Sequence, residues 1–186
     1  MSTPRRRQVP RVCHFRGSSC YGLRMAVRKS PTDNDRALID AAFVCDLIKV
    51  RELLAAGADP DVRDEDGRTP LFSAVLGASV GLVGLLLETG ANINARDSQG
   101  FSVLHYAAQE DLPEMARLLI SRGADVNAVD EDGASVLWRA IFSSRDRPDM
   151  IQLLIAAGAK PDLANKAGES ARELATRLGL GAFTAN

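Results

Sequence analysis

One sequence pattern recurs along this chain at a fixed step, and that step limits the folds open to it. Gly67, Gly100 and Gly133 are 33 residues apart. The same step relates a second series, Gly57, Gly90 and Gly123. Repetition at a period of about 20–50 residues is typical of solenoids, whose units each pack only against their neighbours. The sequence therefore predicts a row of stacked units instead of one globular core.

Each repeat has the signals of a tight turn followed by two short helices. In the first full repeat, Gly67 is predicted to take a positive φ in the turn. Thr69 and Pro70 then begin a helix, with Thr as its cap and Pro at the first helical position. Ser79 is predicted to cap the second helix, and Gly90 to end it in a left-handed conformation. Asp46 is placed to cap the second helix of an earlier, less regular unit.

The phrase Gly-x-Thr-Pro-Leu at 67–71, the later Leu-Leu pair and the Gly-Ala-x-x-Asn after it resemble the ankyrin repeat family. The resemblance covers about residues 35–182 and implies an all-α ankyrin-repeat solenoid of stacked helix-turn-helix units with short β-turn loops. One domain is expected over 33–186, after a basic tail at 1–32. Its units are expected at about 33–63, 64–96, 97–129, 130–164 and 165–186. The first and last are predicted caps, because solenoid ends need a solvated face.

Two departures from the pattern help to place these units. Arg172 stands in the last unit where inner repeats have a buried Leu, as expected for the outer face of a cap. Gly123 and Gly158 are 35 residues apart, so the third full repeat contains two extra residues within 143–147. Insertions in repeats fall in loops, and this one is either a tolerated surface insertion or part of a working face.

Charge is unevenly divided along the chain, although the net charge is only −1. Residues 1–32 hold eight of the 23 basic side chains and none of the 24 acidic ones, which leaves a net −9 on the rest. Such asymmetry bears on partners more than on the fold. Four interpretations of 1–32 stay open: a disordered tail, an upstream extension of a protein that starts at Met25, an organelle-targeting segment, and an arm that docks on nucleic acid or anionic membranes.

Cysteine usage and hydropathy favour a cytoplasmic protein. The three cysteines lack the even number and spacing of a disulfide framework, so we expect reduced thiols. No apolar run approaches the roughly 18 residues that a membrane span needs. Organelle targeting by the Arg-rich N-terminus is the alternative location.

Residues that could support catalysis are few. The chain has two histidines, His14 and His105, and no phosphate-binding glycine-rich loop. His105 is predicted to hydrogen-bond near Ser102 and hold the start of a helix. The acidic groups at 64–66 and 130–132 recur at matching turn tips, which is typical of solvated loops and not of an acid/base pair. The sequence predicts no enzyme activity, no cofactor, no metal site and no small-molecule substrate.

Binding to another protein is the predicted function. In the ankyrin family the turn tips and the exposed ends of the first helices supply partner contacts, on the concave side of the stack. Carried over by position, the resemblance implies the following contact residues: Glu65, Asp66, Arg68, Leu76, Ser98, Gln99, Phe101, Gln109, Glu110, Glu131, Asp132, Ala134, Phe142, Ser143, Lys166 and Glu169.

Four aromatic residues refine this prediction. Phe101 and Phe142 are large apolar side chains at positions that the stack is not expected to need, so they are candidate anchors of an interface. Trp138 and Phe72 occupy the position of the family's His, where they either pack against the neighbouring turn or contact a partner, and Trp138 is retained as a candidate contact. The nearby carboxylates favour a partner with a basic surface.

We therefore expect a non-enzymatic adaptor or inhibitor that covers a basic face of its partner. The alternative is a recruitment protein, in which the basic arm at 1–32 docks on nucleic acid or anionic membrane while the repeats bind cargo.

Overall fold

A computed structural model describes residues 32–143 and 148–180 of the chain, and these residues form nine α-helices. In chain order the helices are α1 Asp33–Phe43, α2 Leu47–Ala55, α3 Pro70–Leu76, α4 Val80–Glu88, α5 Val103–Gln109, α6 Pro113–Ser121, α7 Val136–Ser143, α8 Pro148–Ala156 and α9 Ala171–Arg177. The predictions for residues 1–31, and for residues 144–147 of the insertion, lie outside the described residues.

The helices stack in two rows. The odd-numbered helices α1, α3, α5, α7 and α9 pack one after another, and each of the first four also packs against the even-numbered helix that follows it in the chain. The described part of the chain contains no β-strand, only isolated bridges where the turns fold back, such as Arg96 to Ser102. The predicted all-α solenoid of helix pairs is therefore confirmed.

A row of fully buried leucines runs through the stack and explains why the units adhere. Leu38, Leu71, Leu104 and Leu137 occupy matching positions of successive units, and none is exposed to solvent. Small residues such as Ala74, Ala107 and Ala140 lie beside them and allow the odd-numbered helices to approach closely. The row ends at Arg172, whose exposed side chain donates to Asp162 with Nε to Oδ1 at 2.6 Å. That exposed charge gives the last unit the solvated outer face of a cap.

Backbone hydrogen bonds between consecutive turns fix the tips in register. The Ser98 amide donates to the Asp66 carbonyl at 2.9 Å, the Glu131 amide to Gln99 at 3.0 Å and the Lys166 amide to Asp132 at 2.8 Å. Gly67 is needed beneath this contact: its φ is +76°, and an added Cβ would lie 2.9 Å from the Ser98 nitrogen. The turn tips of neighbouring units are thus held side by side.

The predicted helix caps divide into two groups. Asp46 caps α2 as predicted, because its Oδ1 accepts from the Lys49 amide at 3.0 Å. Thr69 and Ser79 do precede α3 and α4, but neither hydroxyl makes a capping hydrogen bond, so that part of the prediction is wrong. In α3 the residue three positions after the cap is Phe72, whose ring has no polar atom, so the reciprocal bond of a capping box is also absent there.

Candidate protein-binding surface

The predicted contact residues occupy matching places on successive units. The tips carry Glu65, Asp66, Ser98, Gln99, Glu131, Asp132 and Lys166, all of which are exposed. The ends of α3, α5 and α7 carry Leu76, Gln109 and Phe142, which are exposed too, as are the following Glu110 and Ser143. Together these tips and helix ends define a surface, called the turn-tip face below.

Ala134 does not belong to that surface. Only 1% of the residue is exposed, so it cannot contact a partner and its inclusion is wrong. The matching positions hold Arg68 and Phe101, whose long side chains reach Tyr106 and Arg139 of the following unit. The methyl group of Ala134 is too short to do so and is covered.

Arg68 links the first full repeat to the second. Its Nη2 donates to the Tyr106 hydroxyl at 3.2 Å, and that hydroxyl donates to Asp97 Oδ2 at 2.8 Å. The Arg68 guanidinium also pairs with Asp66 at 3.2 Å. Burial and the hydrogen bond to the Asp97 carboxylate raise the pKa of Tyr106, so this phenol stays protonated and keeps its donor.

Phe101 links the second full repeat to the third in the same way. Its ring lies 4.9 Å from the Arg139 guanidinium carbon and 5.4 Å from the His105 ring centroid. Arg139 in turn donates from Nε to Asp130 Oδ2 at 2.7 Å and from Nη2 to Asp132 Oδ2 at 3.1 Å. Phe101 therefore packs against the next repeat, contrary to the expectation that the stack has no use for it, and the residue as a whole is partly exposed.

Trp138 and Phe142 form the most open aromatic feature of the turn-tip face. Their rings stack with centroids 5.2 Å apart and planes 11° from parallel. Trp138 is half-buried and lies under the Arg139 guanidinium at 5.4 Å, whereas Phe142 is 56% exposed. Phe72, by contrast, is fully buried edge-on against Tyr106 and cannot contact a partner.

These contacts join into one line across three repeats, in which each cationic side chain is followed by two aromatic ones. In order, the line consists of Arg68, Tyr106, Phe101, Arg139, Trp138 and Phe142. Sequence reasoning missed Tyr106 and Arg139. Both occupy the position directly after that of the family's His. An aromatic residue at this position in one repeat and a cationic residue in the next was the available signal.

His105 has a structural role, as predicted. The Ser102 amide donates to its Nδ1 at 3.1 Å, and the Ser102 hydroxyl lies 2.8 Å from the same nitrogen. An amide can only donate, so Nδ1 accepts and Nε2 carries the proton directed at the Ala134 carbonyl, 3.4 Å away. Burial lowers the pKa of His105 to about 4, which keeps the ring neutral near pH 7.

Neither a metal-binding cluster nor a membrane-spanning helix is found within residues 32–143 and 148–180. No group of three or more His, Cys, Asp or Glu side chains there is arranged to hold a metal ion. None of the helices in those ranges combines the length and the apolar character that crossing a bilayer requires.

Comparison with known proteins decides the family. A family model described as ankyrin repeats, in three copies, matches residues 38–130, which is half of the chain. The chain belongs to the ankyrin repeat family. No curated protein matches it. Ankyrin repeats typically serve as non-enzymatic modules that bind other proteins, and this ankyrin chain is accordingly a protein–protein interaction module.

Proposed function

We propose that this ankyrin module binds a protein with a basic surface through its turn-tip face, and that it acts as an adaptor or inhibitor without catalytic activity of its own. The observation that carries the proposal is the stacked pair of Trp138 and Phe142. This pair presents an open aromatic ring in the same repeat as the acidic tip of Glu131 and Asp132.

Phe142 is suited to anchor a partner because it is already held in place. Its ring lies flat on Trp138, which Arg139 covers in turn, so little side-chain freedom would be lost on binding. More than half of the residue remains open to contact. Aromatic anchors of this kind supply a large share of the binding energy in many interfaces.

The exposed carboxylates indicate that the partner's surface is positively charged. Asp66 and Asp132 are already paired with Arg68 and Arg139 of this chain. Glu65 and Glu131, at matching tips, make no ion pair with any described residue. They are therefore the acidic groups most available to Lys or Arg side chains of a partner. Such charges act mainly by raising the association rate and by selecting among partners.

Two pairs of matched variants test the proposal. Phe142→Ala is compared with Ile155→Ala, which truncates an exposed apolar side chain of α8 outside the turn-tip face. Glu131→Lys is compared with Glu88→Lys, which makes the same change of charge at the end of α4. Each protein captures partners from a lysate of cells that express it, and mass spectrometry identifies what is bound.

We expect Phe142→Ala and Glu131→Lys to lose the same basic partners, and the two control variants to retain them. Raising the salt concentration should weaken capture by the wild-type protein, because exposed charges are screened. Unchanged capture by Phe142→Ala, with circular dichroism showing an intact fold, would mean that another face binds.

The arm at 1–32 supports a second proposal, that of recruitment to nucleic acid or anionic membrane. Its support is the charge split, with eight basic and no acidic side chains in that segment. Fluorescently tagged full-length protein is compared with protein that lacks residues 1–24. The same distribution in the cytoplasm and the same bound partners for both would remove the arm from the function.

A further inference from the structure

A second surface of this module is apolar where the ankyrin stack does not require it. The turn between α1 and α2, and the matching turn between α3 and α4, expose large apolar side chains. Phe43 is 78% exposed, Val44 69% and Ile48 75%. Leu47, Leu76 and Val80 are exposed beside them. We call these six residues the helix-turn patch.

Comparison with the next repeat shows that packing does not explain the patch. The positions of Phe43, Val44 and Ile48 correspond to Gln109, Glu110 and Glu114 around the turn between α5 and α6, and these are exposed as well. The same fold therefore accommodates polar and charged side chains at these places. Exposed apolar clusters on soluble proteins commonly mark interaction sites.

The two turns that carry the patch are in contact and form one continuous surface. An added Cβ on Gly77 would lie 2.4 Å from Cys45 Sγ, and one on Gly81 would lie 3.9 Å from Leu47 Cδ2. The second turn therefore lies directly against the first. Gly77 and Gly81 match Val44 and Ile48 but carry no side chain, and the Cys45 thiol takes the space beside Gly77. The surface between that apolar wall and Glu110 and Glu114 is therefore low and lined by Cys45 and Gly81.

The charges around the patch restrict what can cover it. Asp40 and Asp46 are exposed on the side of α1 and α2, and Glu110 and Glu114 on the other side. Arg117 pairs with Glu114 at 3.7 Å, and Lys49 with Glu52 at 3.3 Å, both on exposed side chains where such pairs are weak. A second copy of the chain would bring two acidic rims together, and an anionic membrane would meet the same repulsion.

We propose that the helix-turn patch docks an amphipathic helix of a partner protein, with an apolar ridge flanked by Lys or Arg. The ridge would lie on this low surface against Phe43, Val44 and Ile48, and the basic flanks would face the acidic rim. Amphipathic helices commonly bind in this way, with anchors at i, i+3, i+4 and i+7. This site adjoins the turn-tip face and shares Leu76 and the rim residue Glu110 with it.

A defined probe tests the site without knowledge of the natural partner. The probe is a fluorescent 18-residue peptide with Leu along one helical face and Lys elsewhere, and its counterpart has Glu in place of every Lys. Binding to the full chain is measured by fluorescence anisotropy. The patch variant is Phe43→Ser with Ile48→Ser, and the control is Ile155→Ser, which changes an exposed apolar residue of α8 outside both proposed surfaces.

The Lys peptide should bind the wild-type protein and Ile155→Ser equally, and the patch variant about tenfold or more weaker, because two apolar anchors are lost. The Glu peptide should not bind. Because the substituted residues are exposed, circular dichroism should show both variants folded. Glu110→Lys, which leaves the apolar wall intact, should also weaken the Lys peptide.

Three results would overturn the proposal. Equal binding of the Lys peptide to wild-type protein and patch variant would show that the patch is not its site. A dimer seen by sedimentation that the patch variant abolishes would identify a second copy as the occupant. Binding to vesicles of anionic lipid that the patch variant loses would identify a membrane instead.

Discussion

Arg139 reaches back across the boundary between two repeats and lies over the ring of Phe101, with its guanidinium carbon 4.9 Å from the ring centroid. The same side chain neutralises Asp130, whose carboxylate is almost completely buried. One residue thus joins the packing of the stack to the aromatic line of the turn-tip face. Changes to this line will affect stability as well as binding, and the two effects must be measured separately.

Replacing Arg139 with Ala should destabilise the protein by about 2–3 kcal/mol, because Asp130 would remain buried without its charge-assisted hydrogen bond. The change also removes the cation–π contact with Phe101. Urea unfolding followed by circular dichroism measures the free energy of unfolding. Arg172→Ala, which breaks the exposed ion pair with Asp162, should have a clearly smaller effect. Equal losses for the two variants would contradict this account of Arg139.

His105 should make stability depend on pH below neutrality. The pKa of His105 is about 4 in the folded protein and 6.5 in the unfolded chain, so the unfolded chain takes up the proton first as the pH falls. The stability is fully present above about pH 6.5 and declines until about pH 4, by about 3 kcal/mol in total. Denaturant unfolding between pH 7.5 and pH 4.5 measures this loss.

The control for that effect is His105→Gln, which has no group that titrates in this range. The variant should be less stable at pH 7.5, because it loses the fitted imidazole between Ser102 and Ala134. Its stability should nevertheless fall less steeply between pH 6.5 and pH 4.5. Parallel pH profiles for the two proteins would show that other groups cause the decline.

The repeat step predicted the fold well because each unit encodes its own turn and its own buried leucines. The binding surface was harder to predict, since Tyr106 and Arg139 depend on partners in the preceding repeat, Arg68 and Phe101. A pattern of a single repeat treats such positions as variable. Ala134 shows the converse: it matches Arg68 and Phe101 by position, yet its side chain is too short to reach the surface.

The hydroxyl of Thr69 should contribute nothing to stability. Its Oγ1 is buried and meets no hydrogen-bond partner among the described residues. Thr69→Val keeps the shape and removes an unsatisfied polar group, so the free energy of unfolding should stay the same or rise by up to about 1 kcal/mol. Ser102→Ala at the matching position breaks the contact with His105 and should cost about 1–2 kcal/mol. Thermal unfolding compares the two, and a loss for Thr69→Val as large as that for Ser102→Ala would contradict the assignment.

Gly100 and Gly90 separate two reasons for keeping a glycine in this solenoid. Both have a positive φ, +78° for Gly100 and +93° for Gly90. An added Cβ would lie 2.8 Å from the Glu131 nitrogen at Gly100 and would meet nothing within 4 Å at Gly90. Gly90→Ala should therefore cost only the left-handed strain of about 1–2 kcal/mol. Gly100→Ala should cost more, because the methyl group also forces apart the turn tips joined by the bond from the Glu131 amide to the Gln99 carbonyl. Hydrogen exchange should show faster exchange of the Glu131 amide in Gly100→Ala alone, and equal exchange in both variants would mean that the tips are held by something other than this close approach.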